Sequence, residues 1–184
     1  MADLKITELA ALTVVNDEDL IAIVDDPTGT ASTKKIRVDD FQSTWHVGAR
    51  VYNNANISIA HDTYTALTFN SEVYDTDSIH STGTNTGRLT CQTSGKYLIM
   101  ATISFTDNAA GTRWVYFPIG GAGAISNFTV FAANAAGTKI VASTIYSLSV
   151  GQYVTCKVYQ SSGGALNVEY SSMNSPYFMM QRIG

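Results

Sequence analysis

The chain has 184 residues, of which 45% are hydrophobic and 14% are charged, and its formal net charge at pH 7 is -4. The charged fraction is well below the roughly 25% of an average soluble domain, which favours burial of surface between subunits over a surface covered by Ser, Thr, Asn and Tyr. The negative charge argues against nucleic acid binding, which needs clustered Lys and Arg. No window approaches the ~20 apolar residues of a membrane span, so membrane insertion is not expected.

Residues 1–45 are predicted to form a small N-terminal attachment segment that contains one β-hairpin. Its strands are predicted at 19–24 and 33–38, with a turn at 26–29, where Pro fixes φ and Gly tolerates a positive φ. A short helix is expected at 7–12. A lone hairpin is marginal in water, so this segment is expected to pack on a partner protein, on its trimer mates or on the domain behind it. The candidates for the attachment contact are the apolar hairpin residues Leu20, Ile21, Ile23, Ile36 and Val38.

Residues 46–184 are predicted to form one all-β domain, because turn clusters separate short runs of strand-forming residues throughout. Around ten strands at this spacing are typical of a β-sandwich or jelly roll. The predicted strands are 49–53, 57–60, 65–73, 87–92, 96–106, 113–119, 125–132, 138–148, 152–160, 165–170 and 176–183.

The strand at 96–106 carries the clearest pattern, since side chains of a strand alternate between two faces. One face is wholly apolar and contains Tyr97, Ile99, Ala101, Ile103 and Phe105. The other face is half apolar and contains Leu98, Met100, Thr102 and Ser104. A sandwich strand normally turns polar residues to water on its outer face. The half-apolar face therefore indicates contact with another subunit.

Four segments, in order, resemble motifs of the globular head of the complement q subcomponent, a member of the tumour-necrosis-factor-like superfamily. Residues 63–77 are similar to its second-strand region, and 95–97 to its glycine, any residue, tyrosine signature. Residues 148–154 resemble its entry into a long strand, although Gln152 stands where aspartate is usual. Residues 175–178 are similar to the start of its last strand.

The resemblance covers about residues 49–184 and implies a ten-stranded jelly roll that assembles as a tight homotrimer. In such trimers, aromatic and aliphatic side chains of three protomers meet on the axis. The trimer-interface candidates are Tyr153, Tyr159, Phe178 and Met180. The alternative is that these four side chains belong to the ordinary core of the sandwich.

The N-terminal pattern KITEL, DLIAIVDD and TKKIRVDDF resembles the leading part of bacteriophage virion proteins. An attachment segment followed by a trimeric head is the layout of a virion fibre or spike. The N-terminus lacks a basic segment followed by an apolar run, so no secretory signal is expected. A virion protein assembled in the host cytoplasm needs none.

No catalytic or cofactor motif is present, and neither an enzyme nor a bound cofactor is expected. There is no G-x-S-x-G elbow, no Walker phosphate loop and no HExxH pattern. Cys91 and Cys156 are expected to be buried thiols rather than a disulfide, and the three histidines to lie at the surface. Asp75 and Asp77 are weak candidates for calcium, which some complement-type heads bind; the favoured alternative is that they cap a turn.

Two functions remain open at this stage. The first is a trimeric phage fibre, spike or tail protein whose head binds a host-surface glycan or protein, with avidity from three copies. The loops 81–87 and 107–112 would supply hydrogen bonds, and Trp114 and Tyr116 would stack on a ligand unless they belong to the core. The second is a purely structural decoration, collar or tail component without a ligand. The cell-binding activity of the head separates the two.

Overall fold

A computed structural model describes residues 15–25, 28–30, 32–38, 46–120, 123–133, 136–171 and 176–184. The chain divides into two compact units, Met1–Trp45 and His46–Gly184. Within the described residues, no helix is long and apolar enough to cross a membrane.

The first unit contains the predicted hairpin. Strand β1 (Leu20–Asp25) pairs antiparallel with β2 (Ser32–Arg37), and Ile21 lies opposite Ile36. The N–H of Val38 donates to the carbonyl of Asp19 at 2.9 Å, which extends the pairing beyond the strand ends. The helix expected at 7–12, and the first two residues of the turn at 26–29, lie outside the described residues.

The second unit is a β-sandwich. In chain order its strands are β3 (Gly48–Tyr52), β4 (Ile57–Ile59), β5 (Thr65–Ala66), β6 (Ser71–Asp75), β7 (Arg88–Thr90), β8 (Gly95–Phe105), β9 (Thr112–Pro118), β10 (Ala124–Phe131), β11 (Thr138–Leu148), β12 (Tyr153–Thr155), β13 (Lys157–Gln160), β14 (Leu166–Val168) and β15 (Tyr177–Arg182).

Two sheets enclose the core. The large sheet has the order β4-β14-β8-β15-β3-β6, and β11 pairs with β8 along its whole length. The smaller sheet has the order β10-β9-β13-β5, and β12 and β7 form a separate pair. The non-consecutive order in both sheets is that of a jelly roll, in which the chain crosses repeatedly between the layers.

The core lies between the inner faces of the two sheets. Phe178 on β15 stacks on Phe117 of β9 at a ring-centroid distance of 5.7 Å, and on Phe69 at 5.5 Å. The apolar face predicted for β8, from Tyr97 to Phe105, is buried here. The residues of its opposite face are only partly buried, as the alternation predicts.

Two predicted strands are interrupted where the chain changes partners. The predicted strand 65–73 becomes β5 and β6, because the N–H groups of Leu67 and Phe69 bond to Cys156 and Thr86 instead of to one neighbouring strand. The predicted strand 152–160 is divided into β12 and β13 at Cys156. Periodicity alone does not reveal such crossings, since both halves keep an extended backbone.

Candidate functional site

The exterior of the large sheet presents a broad face with many apolar side chains. We call it the large-sheet face, and its central residues are Leu98, Met100 and Thr102 on β8, Val141 and Ile145 on β11, and Tyr177 and Met179 on β15. These side chains are neighbours, because Met179 lies opposite Met100, and Tyr177 lies opposite Thr102. Val141 and Ile145 are 59% and 60% exposed, so the apolar patch is open to solvent. The face therefore has the composition of an interface.

The edge of this face is aromatic. The guanidinium carbon of Arg50 on β3 lies 4.4 Å from the centroid of the Tyr177 ring, and Tyr52 lies 5.6 Å from the same ring. A shallow depression of about 120 Å³ lies between Arg50, Met100 and Met179. Arginine stacked on an aromatic ring is common at protein interfaces.

The predicted trimer-interface residues do not lie together on this face. Phe178 and Met180 are fully buried in the sandwich core of the protomer, the position that the alternative in the sequence analysis gave them. Their neighbours on β15, Tyr177 and Met179, point outward instead. Tyr153 and Tyr159 are partly exposed, but they lie near the smaller sheet.

A cleft of about 670 Å³ opens on the exterior of the smaller sheet. Its lining includes Arg88, Tyr116, Tyr153 and Lys157, and we call it the basic cleft. Lys157 on β13 lies opposite Tyr116 on β9 and opposite Ala66 on β5. The side chains of Lys157 and Tyr116 point outward, because their strand neighbours Val158 and Val115 are buried in the core.

The pairing of β12 with β7 positions Arg88 against Tyr153. Thr155 lies opposite Arg88, and Tyr153 opposite Thr90, so Arg88 and Tyr153 are diagonal neighbours on one face. The guanidinium carbon lies 4.1 Å from the centroid of the Tyr153 ring. The arginine side chain is thereby held over the ring at the wall of the cleft.

The rim of the basic cleft is fixed by its backbone. Asn85 has a φ of 52°, a left-handed conformation that Asn tolerates better than most residues. Its carbonyl accepts a bond of 2.9 Å from the N–H of Arg88. A Cβ at Gly87 would lie 2.6 Å from the carbonyl oxygen of Leu67, so only glycine fits this approach. This rim lies within the loop 81–87, which the sequence singled out for polar contacts.

A group of four aromatic side chains adjoins the cleft. Tyr64 contacts Tyr159 at 4.9 Å and Tyr116 at 5.4 Å between ring centroids, and Trp114 lies 5.3 Å from Tyr159. We call these four residues the aromatic group. Trp114 and Tyr116, for which the sequence left core and ligand roles open, lie on the outer side of the sheet.

Two hydrogen bonds hold this group. The indole Nε1 of Trp114 donates to Oγ1 of Thr112 at 3.1 Å, and the Tyr159 hydroxyl donates to Oδ1 of Asp62 at 2.6 Å. The bond to Asp62 raises the pKa of Tyr159, and burial raises the pKa of Tyr116. Both hydroxyls therefore stay neutral at physiological pH.

The calcium candidates lie at the end of β6, where Asp75 is the last residue of the strand and Asp77 belongs to the turn that follows. The carboxylate of Asp75 accepts three main-chain N–H groups, from Asp77, Ile79 and His80, at 2.8–3.2 Å. In the part of the chain that the structure describes, no three His, Cys, Asp or Glu residues are grouped to hold a metal ion. The three bonds to Asp75 are those of a carboxylate that caps a turn, the alternative that the sequence favoured for it.

The thiols and histidines are placed as follows. Cys91 and Cys156 are free and buried, as expected, and burial raises the pKa of both. His46 and His61 are exposed. His80 is not a surface residue: its side chain is buried, with Nδ1 2.8 Å from Oε1 of Glu72 and Nε2 3.1 Å from the carbonyl of Thr86. The prediction for this histidine was wrong, because the turn capped by Asp75 directs the ring inward.

The attachment candidates show mixed exposure. Leu20, Ile21 and Ile23 are 55%, 38% and 40% exposed, Ile36 is half-buried and Val38 is buried. Apolar side chains thus remain accessible on β1.

Comparison with known proteins establishes the fold. Neither a protein-family profile nor a curated protein sequence matches the chain. Among solved structures, murine APRIL is similar with a TM-score of 0.58 and 13% identity, covering 75% of this chain and 99% of that one. The Eiger TNF of S. frugiperda has a TM-score of 0.55 and 13% identity, covering 76% and 93%. The globular domain of zebrafish complement 1qA has a TM-score of 0.50 and 16% identity, covering 73% and 92%. The chain therefore contains a jelly roll of the tumour-necrosis-factor and C1q type.

Proposed function

We propose that this chain is a homotrimeric bacteriophage virion protein, a fibre, spike or tail appendage. The jelly roll of residues 46–184 forms the trimeric head and binds a glycan or protein of the host surface. Residues 1–45 attach the trimer to another virion protein. The particle assembles in the host cytoplasm.

The observation that carries the trimer is the large-sheet face. Its exposed Val141 and Ile145 flank Leu98, Met100 and Met179, and removing such apolar surface from water favours association. The sequence resemblance implies three copies around an axis, an arrangement that buries equivalent surfaces in every protomer. The jelly-roll fold supports this arrangement.

The attachment role rests on the hairpin. A two-stranded hairpin is marginal alone, and Leu20, Ile21 and Ile23 keep much of their surface exposed. Contact with a partner protein would bury these side chains. The resemblance of this segment to the leading part of phage virion proteins supplies the class of partner.

The mass of the full chain in solution tests the trimer. Light scattering at low micromolar concentration is expected to give about three times the 19.8 kDa of one chain. Met179→Lys places a charge in the interface and is expected to give monomers that remain folded by circular dichroism. Val150→Lys adds the same charge at an exposed turn residue and should leave the mass unchanged. A monomeric wild-type protein would refute the trimer.

Attachment is tested in the phage that encodes the chain. Ile21→Lys together with Ile23→Lys is expected to remove the protein from purified particles, as measured by mass spectrometry. The isolated variant should keep the mass of the wild type. Normal incorporation of the variant would contradict the attachment role of the hairpin.

A further inference from the structure

We infer that the basic cleft and the aromatic group together bind an acidic saccharide, a sugar chain that carries a carboxylate or sulfate. The inference names the ligand class of the receptor-binding role proposed above and rests on that role for its biological meaning. The binding itself is argued from the cleft alone.

The charge of the cleft selects an anion. Arg88 and Lys157 are its two charged lining residues, and both are cationic. Across the described residues, neither side chain has an ion pair or a hydrogen bond with a protein group; the contact of Arg88 is its stack on Tyr153. A guanidinium stacked on a ring keeps its N–H groups in a plane suited to bidentate contact with a carboxylate or sulfate. An acidic ligand group would therefore meet two uncommitted cations.

The aromatic group selects a ligand with an apolar face. Tyr159 follows Lys157 by two residues on the same face of β13, a distance of roughly 6.6 Å along a strand. Trp114 lies opposite Tyr159, and Tyr116 lies opposite Lys157, so the aromatic rings continue directly from the cleft. Tyrosine and tryptophan combine a flat apolar surface with a polar tip. They therefore match a sugar ring, which has both C–H and hydroxyl groups. A short oligosaccharide can reach both features.

Size and rigidity suit a small ligand. The cleft volume of about 670 Å³ lies within the roughly 300–1,000 Å³ of small-molecule sites. The rim at Asn85 and Gly87 is fixed by the close contacts described above, and Tyr64 is held by three aromatic neighbours. A preformed site loses less conformational entropy on binding.

Single-stranded nucleic acid would also combine charge with stacking, but the chain is a poor match for it. Nucleic acid binding relies on a basic groove that follows many phosphates, whereas the cleft has two cations and the chain has a net charge of -4. The acidic saccharide is the ligand that the observations favour.

The cleft stays accessible in the proposed trimer. It lies outside the smaller sheet, and the large-sheet face lies outside the opposite layer of the sandwich. A three-fold contact needs two patches on each protomer; where both lie on the large-sheet side, the smaller sheet stays free. Three equivalent clefts would then add avidity to weak single sites.

The test compares an oligogalacturonate with its methyl ester, which keeps the rings and removes the charge. Calorimetric titration of the full chain is expected to show binding to the acid and at least about tenfold weaker binding to the ester, since the ester lacks the charge that strengthens hydrogen bonds from Arg88 and Lys157. Arg88→Gln and Lys157→Gln should each weaken the binding of the acid about tenfold, and Trp114→Ala should weaken the binding of acid and ester alike. Lys96→Gln removes the same charge from an exposed residue of the large sheet and should change neither.

The outcomes are distinct. Absence of binding, equal affinity for acid and ester, or unchanged affinity in both Arg88→Gln and Lys157→Gln would overturn the inference. Tighter binding of a single-stranded oligonucleotide at the same site would overturn it as well. Each variant is first shown to keep the melting temperature and mass of the wild type. A wild-type protein that binds the acid but has a monomeric mass would refute the proposed trimer and leave the saccharide site standing.

Discussion

Arg113 is fully buried, and its Nη2 donates a hydrogen bond of 2.9 Å to the main-chain carbonyl of Asn108. Its Nη1 donates to the carbonyls of Ala110 and Thr112 at 2.9 and 3.1 Å. Among the described residues, no carboxylate balances this charge, and burial lowers the pKa of the guanidinium. The side chain thus acts as an internal scaffold for the loop 107–112, which the sequence had suggested as a ligand-binding loop.

This arrangement predicts that Arg113→Lys is more harmful than Arg113→Met. Lysine keeps a buried charge but cannot reproduce the planar fork, so we expect a loss of about 2 kcal/mol or more in the free energy of unfolding. Methionine removes the buried charge. The carbonyls of Asn108 and Ala110 lose their donor, but these two residues are at least partly exposed, so water can replace it at a smaller cost. Urea denaturation measures both, and equal losses for the two variants would contradict this account.

Arg113→Met also tests how the loop 107–112 is held. In Arg113→Met the carbonyls of Asn108 and Ala110 lose their donor, so the main-chain amides at 110–112 should exchange hydrogen faster than in the wild type. Unchanged exchange would show that the loop is held by other contacts, such as the bond from the N–H of Thr112 to Oγ of Ser161 at 2.9 Å.

Adjacent methionines on β15 are expected to behave differently. Met180 is fully buried, so Met180→Ala should lower the free energy of unfolding of the protomer by about 2–5 kcal/mol. Met179 lies on the large-sheet face, so Met179→Ala should cost the protomer little and instead weaken association. Light scattering measures association, and urea denaturation measures the stability of the fold. Both are done at one fixed concentration, because association itself stabilises the fold. A larger loss of protomer stability in Met179→Ala would reverse the assignment of the two faces.

These methionines show what the sequence could and could not predict. The predicted strand 138–148 coincides with β11. The inward face of β8 follows from alternation, because one parity of that strand is wholly apolar. In β15 both parities are apolar, with Tyr177 and Met179 on one side and Phe178 and Met180 on the other. Alternation then fixes the period of the strand but not which face is inward, so the sequence left Phe178 and Met180 open between the core and an interface.

The basic cleft could not be predicted from the sequence, for a different reason. Arg88 and Tyr153 are far apart in the chain and meet only because β12 pairs with β7. No local motif marks that pairing. The available signal was the combination of Trp114 and Tyr116 at alternate positions of one strand, which indicated stacking residues but not the cations beside them.

Alkaline pH is expected to destabilise the fold through Cys156. Burial raises the pKa of its thiol, so the folded chain keeps a proton that the unfolded chain releases above its usual pKa of about 8.5. The stabilisation is complete below that pH and decreases by about 1.4 kcal/mol per pH unit above it, until the raised pKa of the folded state is reached.

Cys156→Ala tests this pH dependence. Urea denaturation under reducing conditions at pH 7.5 and pH 9.5 should show the wild type losing more stability than the variant between the two pH values. Cys91 remains in both proteins, and the pKa of its thiol is raised in the same direction, so the variant should keep part of the slope. Parallel stability curves would show that the Cys156 thiol does not stay protonated in the folded state.

Gly111 is predicted to be irreplaceable for two separate reasons. Its φ is +74°, which strains any residue with a Cβ, and a Cβ there would lie 2.0 Å from the carbonyl oxygen of Ser161. Gly111→Ala should therefore lower the free energy of unfolding by more than the strain of about 1 kcal/mol alone, because the loop must move away from Ser161. Gly163 has a φ of +91° but no atom within 4 Å of a Cβ, so Gly163→Ala isolates the strain. If the two substitutions cost the same, the contact between the loop 107–112 and Ser161 does not constrain the backbone, and the scaffold built by Arg113 would be looser than the hydrogen bonds indicate.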